Sequence, residues 1–270
     1  MTTARVPTAY GDVVDLVGLG ADWPYLFVQH TLLPYHAAQF RSHTCDHRTF
    51  MVIEGRAKFE LLNDAGGIDA ARYGHLEGWH AVPGSVYRIV NAGGRPLVFL
   101  EAGTATGTLR EEVDAAPLRQ FATAYRCPPV SYYTVTKPWG HEVWYTHNLT
   151  RLPYAMKQIH MSKGHQSSLQ SHQVKAETNY VIDGEATVLN GRFAPENLDT
   201  VIDPGALPAS VHRSRSGWSS APRVLHRVIA RSDYTSIEVS TPELDDVIRW
   251  QDDTGRANGR IDTEHLAGRR

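Results

Sequence analysis

Between Gly164 and Gly184 the sequence reads GHQSSLQSHQVKAETNYVIDG. A Gln-x-His pair, Gln170 and His172, stands five residues ahead of Glu177, and Gly184 follows seven residues after that. An amide oxygen, an imidazole and a carboxylate together suit a borderline-to-hard divalent ion such as Mn, Fe, Zn or Co. Alternate side chains of a strand share a face, so Gln170 and His172 point one way while Leu169 and Ser171 point the other. Lys175 and Ala176 fit a short turn. Glu177 then opens a second strand through the β-prone run Tyr180-Val181-Ile182, and Gly184 permits the turn into Glu185–Leu189. The stretch therefore predicts three of four ligands to one metal ion, carried on two neighbouring strands. The alternative for the same residues is a polar surface hairpin, since a short motif on its own carries false positives.

Further blocks accompany this one in fixed order. Lys137-Pro138-Trp139-Gly140 precedes it, and Val224-Leu225-His226-Arg227-Val228 follows. A strand-like Ile237-Glu238-Val239 comes next, and then Asp252-Asp253-Thr254-Gly255-Arg256. The Gln-x-His-x₄-Glu-x₆-Gly core resembles the first motif of the cupins, with Gln in place of the usual first His. Over residues 137–256 the blocks together are similar to the cupin domain of type II phosphomannose isomerases. That resemblance implies a small β-barrel binding one divalent metal ion (Zn, Mn, Fe or Co) through Gln170, His172, Glu177 and His226.

His212, after Pro204-Gly205, is a rival for the last ligand. His226 is preferred because Val224, His226 and Val228 alternate on one face and because the Ile-Glu-Val strand follows as in the isomerases. The resemblance further implies a phosphorylated sugar as substrate, isomerised by proton transfer between adjacent carbons through an enediolate. Lys175, Lys137, Arg213 and Arg223 are the candidates for holding the phosphate. Lys157 and Glu142 are candidates for the proton-transferring group. Arg227 falls on the face opposite His226. Trp139 and Trp144 read as packing residues.

The first half of the chain repeats the spacing with different chemistry. Arg41-x-His43-x₄-Arg48-x₆-Gly55 matches Gln170-x-His172-x₄-Glu177-x₆-Gly184, and Tyr87 falls where the last histidine belongs. Such internal repetition decides the architecture. It predicts an all-β protein of two tandem cupin barrels (double-stranded β-helix, or jelly-roll) with a few short helices. Residues 1–125 form a degenerate cupin, 126–136 a linker, 137–256 the metal-binding cupin and 257–270 a flexible tail. Guanidiniums stay protonated and cannot bind a cation, so the first barrel has no metal. It is either a structural or dimerising barrel, or one in which Arg41 and Arg48 hold an anion. Asp46 and His47 offer a displaced metal site.

Residues 114–125 have helical spacing with Asp114 as cap, and Thr241-Pro242-Glu243 reads as a second helix start. Residues 190–216 read as a long loop over the site, carrying His212, Arg213 and Arg215.

Composition narrows the partners. At 270 residues, 41% apolar, 21% charged and a net charge of −2, the chain is an ordinary globular protein. It lacks the basic excess that nucleic acid or an anionic membrane would require. Residues 1–15 have no apolar core of the signal-peptide kind, and no stretch approaches the ~18 apolar residues of a spanning helix. Two cysteines, Cys45 and Cys127, make no disulfide framework, which predicts a cytoplasmic protein with reduced thiols. A small-molecule substrate and a homodimer complete the expectation. Two other functions suit the same scaffold: an iron-dependent cupin dioxygenase, and a non-catalytic sugar-binding bicupin.

Overall fold

The computed structural model describes residues 5–17, 23–44, 47–149 and 153–261. Strands account for nearly all of the regular structure, arranged as four sheets. The chain divides into two compact units at residues 130/131, inside the expected 126–136 connection. Part of that connection is ordered by packing: Cys127 lies against the first unit's core, and Tyr133–Lys137 is already a strand paired with Gly140–Trp144.

Each unit is a sandwich of two antiparallel sheets with the same strand order. In the second unit one sheet runs Tyr133–Lys137, Gly140–Trp144, Ala155–Met161, Tyr234–Ser240, Glu177–Asp183, Gly217–Ser220. The other runs Ala209–Arg213, Glu185–Phe193, Val224–Ala230, Leu169–Ser171, Val247–Gln251, Gly259–Ile261. In the first unit Arg48–Glu54 takes the place of Glu177–Asp183, Leu97–Thr104 that of Tyr234–Ser240, and Phe40–His43 that of Leu169–Ser171. Register confirms the repeat residue by residue. Arg41 pairs with Tyr87 as Gln170 pairs with His226. Phe50 pairs with Glu101 and Trp79 as Asn179 pairs with Glu238 and Trp218.

Both units turn at the same glycine. Gly55 and Gly184 adopt φ of 82° and 78°, in the left-handed region where a side chain is strained. A Cβ on Gly184 would lie 2.0 Å from the Asp233 carbonyl oxygen. That turn fixes the hairpin that carries Glu177.

The interiors differ. The first barrel is filled by aromatic rings, with Phe50 stacked on Trp79 at 5.2 Å and Phe59, Tyr87 and Phe99 around them. In the second, apolar clusters lie to either side, one around Trp139, Met161, Val181 and Tyr234 and one around Leu169, Leu189, Leu225, Ile248 and Trp250. Polar residues occupy the space between.

Three local expectations are corrected. Residues 114–125 form only a short 3₁₀ turn, Ala116–Phe121, with no side-chain cap and one buried residue, Leu118; a single apolar anchor does not support a longer helix. Thr241 to Asp246 is a turn rather than a helix start. Thr241 Oγ1 accepts from the Ala176 amide at 3.1 Å, and the Asp246 carboxylate accepts from the amides of Gln173, Val174 and Lys175. The groups expected to cap a helix instead fasten the loop between the ligand strands. Finally, 190–216 is not one long loop. The strand Glu185–Phe193 runs into it, and Ala209–Arg213 pairs back onto Glu185–Leu189 as an edge strand. Of the expected tail, Gly259–Ile261 pairs with Val247–Arg249, and 262–270 lies outside the described residues. Among the described residues no helix is long and apolar enough to cross a membrane.

Candidate metal centre

Three sequence-predicted ligands meet inside the second barrel. His172, Glu177 and His226 are buried, and one ligand atom from each lies within 4.8 Å of the others. Gln170 and His226 face one another across adjacent strands of one sheet, and Glu177 opens the strand of the facing sheet.

Each imidazole is held by its outer nitrogen. His172 Nδ1 donates to the Asp246 carbonyl, and His226 Nδ1 lies 3.1 Å from both Ser220 Oγ and the Val224 carbonyl. An Nδ1–H so engaged leaves Nε2 as a lone pair, the arrangement metal-ligating histidines use. Both Nε2 atoms point at Glu177: His172 at 3.4 Å from Oε2 and His226 at 3.3 Å from Oε1. His172 Nε2 is buried and has no hydrogen-bond partner, an uncommon state for a buried polar atom. A divalent ion between the three groups would satisfy it.

Gln170 presents its amide nitrogen to His226 Nε2 at 3.2 Å, while its oxygen accepts from Ser168 Oγ at 3.1 Å. Rotation of the amide by half a turn brings the oxygen to the centre. Two imidazoles, a carboxylate and an amide oxygen then form a donor set for a divalent first-row ion.

Beyond Glu177 runs a ladder of alternating charge. Lys175 Nζ donates to Glu177 Oε2 at 2.7 Å and to Glu238 Oε1 at 2.8 Å. Lys157 Nζ lies 3.3 Å from Glu238 Oε2 and donates to Glu142 Oε1 at 3.1 Å. Trp144 Nε1 donates to the other Glu142 oxygen at 3.2 Å. All five charged groups are buried and line one cavity with the metal ligands.

Burial alone would raise the Glu177 carboxyl, but the Lys175 ammonium beside it outweighs this and holds it well below the usual carboxylate range. Burial lowers both lysines, and their glutamate neighbours more than reverse this, so Lys157 and Lys175 remain ammonium ions. Burial pushes His226 down to about 4, with the His172 ring and Lys175 adding to the effect against the opposing pull of Glu177. The ring is therefore neutral, as ligation requires.

The remaining predicted residues divide. Glu142, Lys157, Lys175 and Lys137 line the cavity. Lys175 sits inside it, between two carboxylates, rather than at the mouth where a phosphate would meet it. Arg213 and Arg223 are outside the cavity. Arg213 is exposed on the edge strand and donates to Glu185 at 2.6 Å, and Arg223 is exposed with Glu196 at 3.8 Å. Arg213 stands off the site because residues 209–213 pair as an edge strand instead of folding over it, and Arg223 lies in the turn that leads into Val224–Ala230. His212 lies on that strand with its ring nitrogen 2.9 Å from Ser210 Oγ, so His226 is the histidine that joins the cluster. Arg227 faces away, its guanidinium on the Gln251 carbonyl and Asp253. Trp139 and Trp144 are buried in the apolar clusters.

Sequence reasoning missed Glu238 as a site residue. The signal was present: Ser236, Glu238 and Ser240 alternate with Ile237 and Val239, so a buried strand turns polar side chains inward.

The equivalent place in the first barrel holds a carboxylate. Glu101 accepts from Arg48 at 2.9 Å and Arg41 at 3.2 Å, and lies 2.7 Å from His30 Nε2. Arg41 also donates to Glu111 at 2.7 Å. The two arginines do hold an anion, and it is the chain's own. Burial would raise Glu101, but His30, Arg41 and Arg48 together drive it far below the carboxylate range. Asp46 lies outside the described residues, so the displaced site expected with His47 is not described.

Comparison with solved structures places this architecture. The chain aligns with Bacillus subtilis oxalate decarboxylase, studied for its Mn(II) centres, at TM-score 0.64 and 12% identity over 92% of this chain and 77% of that one. A point mutant of the same enzyme aligns at TM-score 0.66 and 14% identity over the same shares. The Lactobacillus farciminis oxalate decarboxylase, in a formate complex, aligns at TM-score 0.65 and 12% identity, over 92% and 86%. The fold is a bicupin. No family model matches the sequence, and no curated protein does. The bicupin likeness extends over both units, and at these identities it is a likeness of fold.

Proposed function

We propose that the second barrel is the active site of a metal-dependent isomerase or epimerase that moves a proton between adjacent carbons of a small sugar or sugar phosphate. One observation carries this reading. The ligand cluster and the Glu142–Lys157 pair lie on the walls of one cavity, joined by buried ion pairs. A divalent ion bound by Gln170, His172, Glu177 and His226 would polarise a substrate carbonyl and lower the cost of negative charge on its oxygen.

The roles of the pair follow from charge. Lys157 stays protonated against its carboxylate neighbours, which suits a donor rather than a base. Glu142 accepts from Lys157 and from Trp144, a carboxyl held in place to take a carbon-bound proton. Burial keeps both groups from water, where their field would be screened. For a phosphate, the cavity wall supplies Lys137 and Arg256, the latter shared with Asp252 at 2.6 Å.

The fold likeness to oxalate decarboxylases supports a second reading: cleavage of a small carboxylate, or its oxidation, at the same ion. One preparation separates the two. Loaded with metal, it is incubated in D₂O with a panel of sugars and sugar phosphates, and with oxalate under an oxygen electrode. The isomerase reading expects deuterium at a carbon next to the carbonyl. It also expects Glu142→Gln to lose that exchange by roughly 100-fold or more while keeping its metal. Carbon dioxide release or oxygen uptake without exchange transfers the assignment to the second reading. Ligand binding with neither leaves a sugar-binding bicupin.

A further inference from the structure

Lys175 poses a chemical problem for the metal centre. Its ammonium lies 2.7 Å from Oε2 of Glu177, the same oxygen that faces His172 Nε2 at 3.4 Å. A lysine in that position competes with a cation for the only carboxylate in the ligand set. Some other group must moderate it, or the barrel would be neutralised from within.

Glu238 is placed to do so. Its Oε1 takes a second hydrogen bond from the same ammonium at 2.8 Å, and its Oε2 faces Lys157 at 3.3 Å. The first barrel shows what happens at this ladder position under different wiring. Glu101, the register equivalent, receives two guanidiniums directly, and the centre closes on itself. In the second barrel the cations reaching Glu238 come from Lys157 and Lys175, one on either side, and the ligand atoms are left facing the cavity.

We propose that Glu238 is a positioning residue for the metal centre: by sharing the Lys175 ammonium with Glu177, it keeps that ligand available to a divalent cation. The inference rests on the metal reading above but not on the reaction assigned to it. The ladder holds three glutamates and two lysines, with Glu238 between the two ammonium groups and Lys175 between Glu238 and the ligand Glu177. Glu238→Gln weakens the second acceptor of the Lys175 ammonium and leaves it committed to Glu177. Lys175→Met has the opposite effect, and removing both charges returns the wild-type balance.

The test is the affinity of metal-stripped protein for Mn²⁺ by isothermal titration, with the apo unfolding midpoint measured alongside. The expected order is Lys175→Met at least as tight as wild type, the double variant Lys175→Met/Glu238→Gln near wild type, and Glu238→Gln weaker by roughly 10- to 100-fold, the range of a lost outer-sphere partner. The rescue in the double variant is decisive, because a merely structural role for Glu238 predicts that it binds as poorly as the single one or worse. Unchanged affinity in Glu238→Gln, or no rescue, overturns the proposal while leaving the metal centre standing. Failure of the wild-type protein to bind Mn²⁺ or any other first-row divalent ion overturns both. If Glu238→Gln does not fold, the order of wild type, Lys175→Met and the double variant still decides: a double variant tenfold weaker than wild type refutes the inference, and one near wild type supports it.

Discussion

The two barrels put a glutamate at the same rung of the same ladder and use it in opposite ways. In the first, Glu101 is gripped by Arg41, Arg48 and His30, and the interior beside it is filled by Phe50, Trp79 and Tyr87. In the second, Asn179, Trp218 and His226 occupy those three positions, and Glu238 is spaced from the ligand cluster by lysine. A buried charge needs a partner. The first barrel supplies its partners from its own side chains. The second gathers a carboxylate and two imidazoles that a divalent cation from solution would satisfy. One backbone thus yields a sealed core or a candidate metal centre, and the two differ at positions 41, 48 and 87 against 170, 177 and 226.

The comparison breaks first at Glu101. Glu101→Gln leaves two buried guanidiniums without their carboxylate and is expected to cost about 3–5 kcal/mol. The loss appears as reduced hydrogen-exchange protection in the strands Arg48–Glu54 and Leu97–Thr104, with Mn²⁺ affinity unchanged. Its pH dependence has a definite sign. A carboxyl held below its usual value contributes stability that is complete above about pH 4.3 and is lost as the pH falls toward its folded value. The gap between wild type and Glu101→Gln therefore narrows in acid, below about pH 4. A gap independent of pH between about 3 and 7 would contradict the ion-pair account of the first barrel.

The smallest effects belong to the two arginines outside the cavity. Arg213→Ala and Arg223→Ala remove exposed pairs with Glu185 and Glu196, worth at most ~1 kcal/mol each. Turnover by either variant should stay within about twofold of wild type, since neither side chain reaches the site. A large rise in KM for a phosphorylated substrate would return them to it.

Much of this was legible in the sequence because it depends on parity and spacing. The repeat of Arg41-x-His43-x₄-Arg48 against Gln170-x-His172-x₄-Glu177 implied two barrels, and alternation along Val224, His226 and Val228 pointed to the histidine that lies with His172 and Glu177. What could not be read was which distant side chains share a charge. Lys175 reads as a residue that would hold a phosphate because it sits between ligands, yet its ammonium turns inward to Glu177 and Glu238. Thr241 and Asp246 looked like helix caps because the local pattern is the same whether the amides they serve belong to a following helix or to the loop at 173–176. The Arg213 error had a similar source. Residues 209–213 pair with Glu185–Leu189 across a proline-interrupted connection whose return to the sheet no local pattern announces.

The central claim is that a cation belongs in the second barrel and not in the first. Anomalous diffraction from crystals of Mn²⁺-loaded protein tests it directly, with His172→Ala as control. The account predicts one anomalous peak per chain, bounded by Gln170, His172, Glu177 and His226 and absent in the control. A peak beside Glu101, or one in the second barrel that survives the loss of His172, would contradict it.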